Sequence, residues 1–515
     1  MIMMNVKYGM SRNSFFSLSY RLLCIGFLQI LCTACFKDVN KPLIYGPDVE
    51  TPKEDTIPGV VPHELIENQI SFFSFAIKKR SEEEADLPNP RQRYNPSTGL
   101  RDEESLLEVE HSPEPDDAFA GGDGSPQTPY LIETFEQLSQ VCTRRQAFFQ
   151  LKNDIQANDK KLSPLCPNKT EPFVGKFDGK GFRIINLSLE ENSSQAGLFA
   201  NLGVRLTANN TKKSVLFGLL MDLILENPTI QGGKQTGAFV GQLRGRILNC
   251  HVISGRVSFS EDFGKEFEGF LGGIAGWMGS DAIIRYATVS ATVKGLSEGE
   301  ISQTVGGIVG HNRGIVERSY VMNVDIEGSH NVGGIAGQNL YVIRRCASLA
   351  NVRATGRNVG GIIGNSADKT LLEDSFATGE VSGENVVGGL IGRWNNVSLS
   401  GSANETPIID GIIARSYASN NLLGGEKKGG IVGENHLLEE DEGGFLSVYW
   451  NTDLSSGEYP GDKNRLGGIP NGRTEQQLRC PTEPNETCND VSSFVGWAND
   501  VWFFGTAEQL PVLRF

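Results

Sequence analysis

The chain has no run of 18 apolar residues anywhere in its 515, so no membrane-crossing helix is expected. It also lacks positive charge: 47 Lys and Arg stand against 62 Asp and Glu, for a formal net charge of −15. Such a chain gains nothing from phosphate backbones, which argues against nucleic acid as a partner. Glycine is plentiful, at 61 residues, but it has no three-residue period, and that excludes a collagen helix. The motifs of common chemistries are missing as well. There is no G-x-S-x-G nucleophile elbow, no P-loop and no C-x-x-C pair. His63 and Glu64 open an H-E-x-x sequence, but the position of the second zinc-binding histidine is Glu67.

What the chain does have is a repeat. GGIAG occurs at Gly272, Gly273 and Gly276, and GGIVG at Gly306, Gly307 and Gly310. GGIAG returns at Gly333, Gly334 and Gly337, followed by GGIIG at Gly360, Gly361 and Gly364. GGLIG lies at Gly388, Gly389 and Gly392, and GGIVG at Gly429, Gly430 and Gly433. With the worn copy GAFVG at Gly237, successive starts are 35, 34, 27, 27, 28 and 41 residues apart. A unit of about 27 residues with occasional insertions is the signature of a solenoid.

Each unit holds three short β-like pieces, as in VGGIAG, VIRRCAS and ANVRAT within residues 331–357. Three strands and their corners make one coil of a three-sided parallel β-solenoid, with coils stacked at about 4.8 Å. Glycine pairs exclude helical repeats. The glycines are read as structural: a Cβ would strike the adjacent coil, and φ > 0 would allow a sharp corner. Ile274, Ile308, Ile335, Ile362, Leu390 and Ile431 should form an interior ladder. Tyr320, Phe376 and Tyr417 should form an aromatic ladder that fills the coil. Beside them Cys250 and Cys346 share a position with Ser319, Ser375 and Ser416 and are read as small buried residues rather than ligands.

The repeat divides the chain. Residues 1–34 read as a signal peptide: Lys7, Arg12 and Arg21 precede the apolar stretch 22–31, and LCTAC follows. This resembles a bacterial lipoprotein signal and implies that Cys35 carries the lipid, anchoring the protein to a membrane without spanning it. Residues 35–117, rich in proline and acids, read as a flexible tether, with one apolar island at 65–77. Residues 118–236 read as an N-terminal cap and first coils. There Thr134 and Gln137 have capping-box spacing for a short helix, and Asp178-Gly179 signals a hairpin-type turn. Residues 237–437 form the repeat solenoid, and 438–515, with Trp450, Trp497 and Trp502, an aromatic cap for its exposed end. Candidate disulfides are Cys142 with Cys166 and Cys480 with Cys488.

The units GGIVG…ERSYVMNVDIEG and GGIIG…EDSFATGEVSG resemble the GLUG motif, a repeat of bacterial surface and secreted proteins, some of them of immunoglobulin-A-peptidase type. GGDGSPQTPYLIETFEQL and VYWNTD…GWANDVWFFGTAEQLPVLRF resemble the opening and closing segments of such proteins. The resemblance covers residues 118–515. It implies a cell-surface or secreted β-solenoid suspected of adhesion; with the lipoprotein-type signal, the chain reads as a non-catalytic, adhesin-like or scaffold module of the cell envelope, an outer-membrane lipoprotein with a protein or glycan ligand. It supplies no catalytic residues.

The rival reading is a β-helix enzyme cleaving a polysaccharide, which needs carboxylates clustered on neighbouring coils. Glu317, Arg318, Arg345, Asp374 and Arg415 precede the Ser/Cys ladder, but their irregular mixture reads as solvent alternation. Calcium is considered at Asp325 and Glu380 on successive coils, and GGDGS (121–125) resembles part of a calcium-binding repeat; scattered acids and a plain turn are the simpler readings. No cofactor is expected. The insertions at 258–269 and 396–410 lengthen the regular period and are candidate sites of function.

Overall fold

A computed structural model describes residues 114–515 except 159, 191–193, 209–211, 261–267, 297–302, 368–369, 396–410, 437–443, 456–470, 480–492, 495, 505–509 and 515. Cys35, the signal segment, residues 35–113 of the tether, the Cys480–Cys488 pair, the 396–410 insertion and most of the 258–269 insertion lie outside the described residues. No helix among the described residues is long and apolar enough to cross a membrane.

The fold is a parallel β-solenoid. One coil runs through Asn331–Gly333, Ala336–Asn339, Val342–Arg344, Ala347–Ser348 and Asn351–Ala354. Each strand pairs in parallel with its counterpart one coil on, placing Val332 on Val359, Ile343 on Leu372 and Val352 on Val381. The first two strands of a coil belong to two eight-stranded sheets, and the other three to a 26-stranded sheet among the described residues. Like residues therefore stack on like. The six residues from Ile274 to Ile431 after the glycine pairs are at most 1% exposed. The alternate positions Val305, Val332, Val359 and Val387 are equally dry. These short, β-branched strands are buried by the coil itself, as parallel sheets require.

The three extended pieces per coil are present, but two of them are bent, giving five strands. VGGIAG breaks at the second glycine and the isoleucine, VIRRCAS at Arg345 and its cysteine. The reason for the glycines differs in part from the expectation. None of the eighteen motif glycines is among the residues with left-handed φ. Their necessity is purely steric: a Cβ on Gly307 would lie 2.1 Å from the carbonyl oxygen of Gly334, and one on Gly334 2.1 Å from that of Gly361. The left-handed corner falls instead on non-glycine residues, one in each of eight successive coils: Asp222, Asn249, Tyr286, Arg318, Arg345, Asp374, Arg415 and Ser447, with φ between +42° and +58°.

The Ser/Cys ladder stabilises that corner. Ser319 Oγ donates to the carbonyl of Glu317 at 2.9 Å and accepts from the Ala287 backbone N–H of the preceding coil at 3.2 Å. Ser375 and Ser416 repeat the arrangement. Cys250 and Cys346 point their thiols at the equivalent carbonyls. Burial pushes the Cys346 thiol up to about 12, so it stays protonated and unreactive.

At the N-terminal end the helix Phe135–Ser139 opens with the expected capping box of Thr134 and Gln137. The strands Tyr130–Ile132, Phe148–Leu151 and Lys176–Asp178 continue the solenoid sheet. Asp178-Gly179 does not turn a hairpin. Lys176–Asp178 and Arg183–Ile185 are successive strands of one coil, each paired in parallel with the next coil, and the turn is a coil corner. Cys142 is bonded to Cys166. A hairpin not read in the sequence, Val204–Ala208 with Lys212–Leu216, leaves the coil between two strands.

The aromatic ladder is not in the coil interior. Tyr320, Phe376, Tyr417 and Tyr449 stand on its flank and are buried under Phe494, Trp497, Val501, Trp502 and Leu513 of the C-terminal segment. The Tyr417 hydroxyl donates to the carbonyl of Pro511 at 2.6 Å, and Trp497 Nε1 donates to Ser447 Oγ at 2.7 Å. The segment thus covers a side of the last coils, while Trp450 packs over Gly430 near their end.

The coil spacing sets a clear stability test. Gly307→Ala should cost about 3 kcal/mol, because backbone rather than a movable side chain occupies the site. Arg353→Ala, on an exposed strand position of the coil beginning at Asn331, should be nearly neutral. The urea midpoints of the two variants check this.

Candidate binding faces

Two exterior regions carry chemistry. The first is a charged seam at the left-handed corner. The residue before the corner stacks coil on coil as Arg285, Glu317, Arg344 and Glu373, by strand register. The corner residues beside them are Tyr286, Arg318, Arg345, Asp374 and Arg415. Opposite charges one strand spacing apart must pair. Glu317, 5% exposed, is held between Arg285 and Arg344, with Arg344 Nη2 at 2.6 Å. Asp374, 4% exposed, accepts from Arg415 Nε at 2.8 Å and from Trp502 Nε1 at 3.3 Å. Arg415 also pairs with Glu373. Arg318 donates to the Tyr286 hydroxyl and lies over its ring, 5.4 Å from the centroid.

These residues are therefore not a solvent alternation, as their order suggested. Apart from Arg345, they are a paired and largely buried seam. Burial raises the Glu317 pKa, but Arg285, Arg344 and Arg318 outweigh it and hold the carboxyl well below the usual range. Hydrogen bonds and charge from Asp374 and Glu373 similarly overcome burial to hold Arg415 protonated. A general acid for glycoside cleavage needs the opposite, a carboxyl kept protonated near neutrality.

The second region lies on the two eight-stranded sheets. Two of their ladders read Gln235, Phe270, Thr304, Asn331, Asn358 and Gln242, Trp277, His311, Gln338, Asn365, of which Thr304, Asn358 and His311 are buried and the others partly exposed. None of these ten positions carries an acid, lysine or arginine, although the chain is 21% charged. Charge returns only in the last two coils, where Glu434 pairs with Arg393 and Lys427. Trp277 and His311 are stacked at 6.3 Å and 4°, Phe270 lies 4.9 Å from His311, and Arg244 sits 4.9 Å from the Trp277 ring. Beyond the aromatics come amides: Gln338 Oε1 is 2.9 Å from His311 Nδ1, and Asn358 donates to Asn331 Oδ1 at 2.8 Å. Burial pushes the His311 pKa down to about 4, so the ring is neutral at neutral pH.

Sequence reading missed this face. The usable signal was Trp277 and Phe270 on either side of the GGIAG at Gly272, at offsets where sister units carry His, Gln, Thr or Asn.

The calcium candidates do not converge. Asp325 accepts from Asn351 Nδ2 at 3.1 Å, and Asn351 lies between it and Glu380. In GGDGS the Asp123 carboxylate is used by the turn: its Oδ1 accepts from the Ser125 N–H at 2.9 Å and the Thr128 hydroxyl at 2.5 Å, and these bonds lower its pKa to about 2. Among the described residues no group of three or more His, Cys, Asp or Glu is placed to hold a metal.

No family model matches the chain. It is 30% identical over 195 residues to halomucin of Haloquadratum walsbyi, a match covering 36% of this chain and 2% of that protein's length. Among solved structures it is similar to a "putative immunoglobulin A1 protease" from Bacteroides ovatus, with 19% identity and a TM-score of 0.40, covering 77% of this chain and 95% of that one.

The seam predicts a pH dependence. Because the folded Glu317 pKa is depressed below its ordinary value of 4.5, its stabilisation is complete above that pH. It is lost as pH falls toward the folded pKa, since the unfolded chain then binds the proton first. Glu317→Gln should cost about 3 kcal/mol at pH 7 by leaving two arginines unpaired. The gap to the parent should narrow below pH 4.5, as read from thermal midpoints across pH.

Proposed function

We propose that the chain is a non-catalytic binding module of the cell envelope that takes a glycan along its uncharged amide-and-aromatic face. The observation that carries this reading is the pair of ladders from Gln235 and Gln242 to Asn358 and Asn365, uncharged in a chain that is 21% charged. Amides at strand spacing offer a repeating row of donors and acceptors that matches the hydroxyls of a repeating neutral polymer. Trp277, Phe270 and His311 supply apolar area for sugar C–H groups at one end of the row. The paired seam supports the non-catalytic half of the reading, because its carboxylates are committed to arginines.

The test is a glycan-array screen of the full chain, followed by titration of the best neutral ligand. Trp277→Ala and Gln338→Glu should each weaken binding at least about tenfold, the usual loss when a central aromatic or polar anchor is removed. Unchanged affinity in both variants would overturn the assignment of this face. Incubation of the chain with the same polysaccharides should leave their reducing ends unchanged; new reducing ends would establish the polysaccharide-cleaving alternative.

The proposed setting is the outer membrane, through a lipid on Cys35 after removal of residues 1–34, in a protein of the GLUG-motif kind. The motif LCTAC and the preceding apolar stretch support it. Cys35→Ser should move the protein from the membrane to the soluble fraction after cell fractionation, and retention of the variant in membranes would refute the anchor.

A further inference from the structure

The charged seam is not balanced. Five arginines, Arg285, Arg318, Arg344, Arg345 and Arg415, share it with three carboxylates, Glu317, Glu373 and Asp374. All three carboxylates are engaged: Glu317 by Arg285 and Arg344, Glu373 by Arg415, and Asp374 by Arg415 and Trp502. Arg318 is engaged with Tyr286. Arg345 is left over. Among the described residues its half-buried guanidinium has no ion pair and no side-chain hydrogen bond. Its one hydrogen bond comes from its backbone N–H, which donates to the Glu373 carbonyl at 2.9 Å.

A half-buried arginine with no partner costs free energy. So does its backbone, since Arg345 holds φ +52° where Asp222 and Asn249 occupy the same corner in earlier coils. Asn and Asp tolerate that conformation better than Arg. Two unfavourable features thus coincide at one residue. Burial and the neighbouring Arg318 also disfavour its charged form, which Asp374 and Glu317 offset only in part. The corner register sets Arg318 one coil to one side of it, and on the other side Asp374 turns its carboxylate to Arg415. The two guanidinium groups therefore edge a spot of local positive charge on a chain of net charge −15.

We propose that Arg345, with Arg318 beside it, is an oxyanion-binding site that takes a single sulfate or carboxylate group. Planar guanidinium groups match such groups through paired N–H donors. Two guanidinium groups at neighbouring corners suffice for one such group. The site is separate from the amide-and-aromatic face, and its failure or success leaves that reading untouched.

The probes are sodium sulfate and sodium glucuronate, compared with sodium chloride at equal ionic strength, and the readout is the thermal midpoint of the full chain. Binding to the native state alone should raise the midpoint as the probe is added. The rise should appear in the parent and in Arg353→Gln and be absent in Arg345→Gln, with Arg318→Gln weakened. Without a probe, Arg345→Gln should melt at or above the parent temperature, because no internal partner is lost. A response to sulfate alone assigns a sulfate ester, and a response to glucuronate alone a carboxylate. An equal rise in Arg345→Gln would mean a general salt effect or an adventitious ion only, and would overturn the proposal. No rise in the parent would do the same. An Arg345→Gln chain that melts well below the parent or fails to fold would also overturn it, since the arginine would then serve the fold.

Discussion

The structure depends on how closely one coil lies on the next. Strand-to-strand hydrogen bonding sets that distance, and at the glycine pairs it brings the carbonyl of one coil to where a Cβ of its neighbour would stand. Everything else follows from this stacking. Each residue meets its own counterpart above and below, so apolar positions become continuous ladders and polar positions become rows. A single choice of residue type is therefore amplified along the molecule, in the interior as Ile and Val ladders and on the outside as faces of uniform character.

The same stacking explains how the corner is built. A left-handed residue turns the chain, and the serine or cysteine after it satisfies the carbonyl two residues back; the serines also accept from the coil before. Because the turn is made by backbone conformation and the next side chain, the corner residue itself is free to vary. Early coils use Asn and Asp, and later ones Tyr, Arg and Asp. That freedom is what allows a charged seam to form on a structural corner. The C-terminal segment then closes over the adjoining aromatic flank and reaches the seam through Trp502.

The polar rows on the two eight-stranded sheets show the other consequence of repetition. Neighbouring units each place one uncharged polar or aromatic residue at equivalent positions, and stacking converts scattered Gln, Asn, Thr and His into continuous, partly exposed rows. Such a surface suits an extended ligand better than a compact one, since no single coil carries enough of it to bind alone.

Much of the fold was legible in the sequence because it is periodic. The spacing of the glycine motifs identified a β-solenoid, the isoleucine after each pair marked the interior, and Thr134 with Gln137 announced the short helix. Periodicity could not say which way the aromatic ladder faces. Tyr320, Phe376 and Tyr417 are buried by a segment 77 or more positions away in the chain, which no local pattern encodes. Nor could it tell a paired seam from solvated charges, because Glu317 and its arginines lie 27 and 32 residues apart. The sequence by itself determined the coil, its period and its inner wall, since these rest on neighbours at a fixed offset. Only the tertiary structure decided what the outer residues do, because their partners come from adjacent coils and from the closing segment, and contact between them is a matter of stacking rather than of order along the chain.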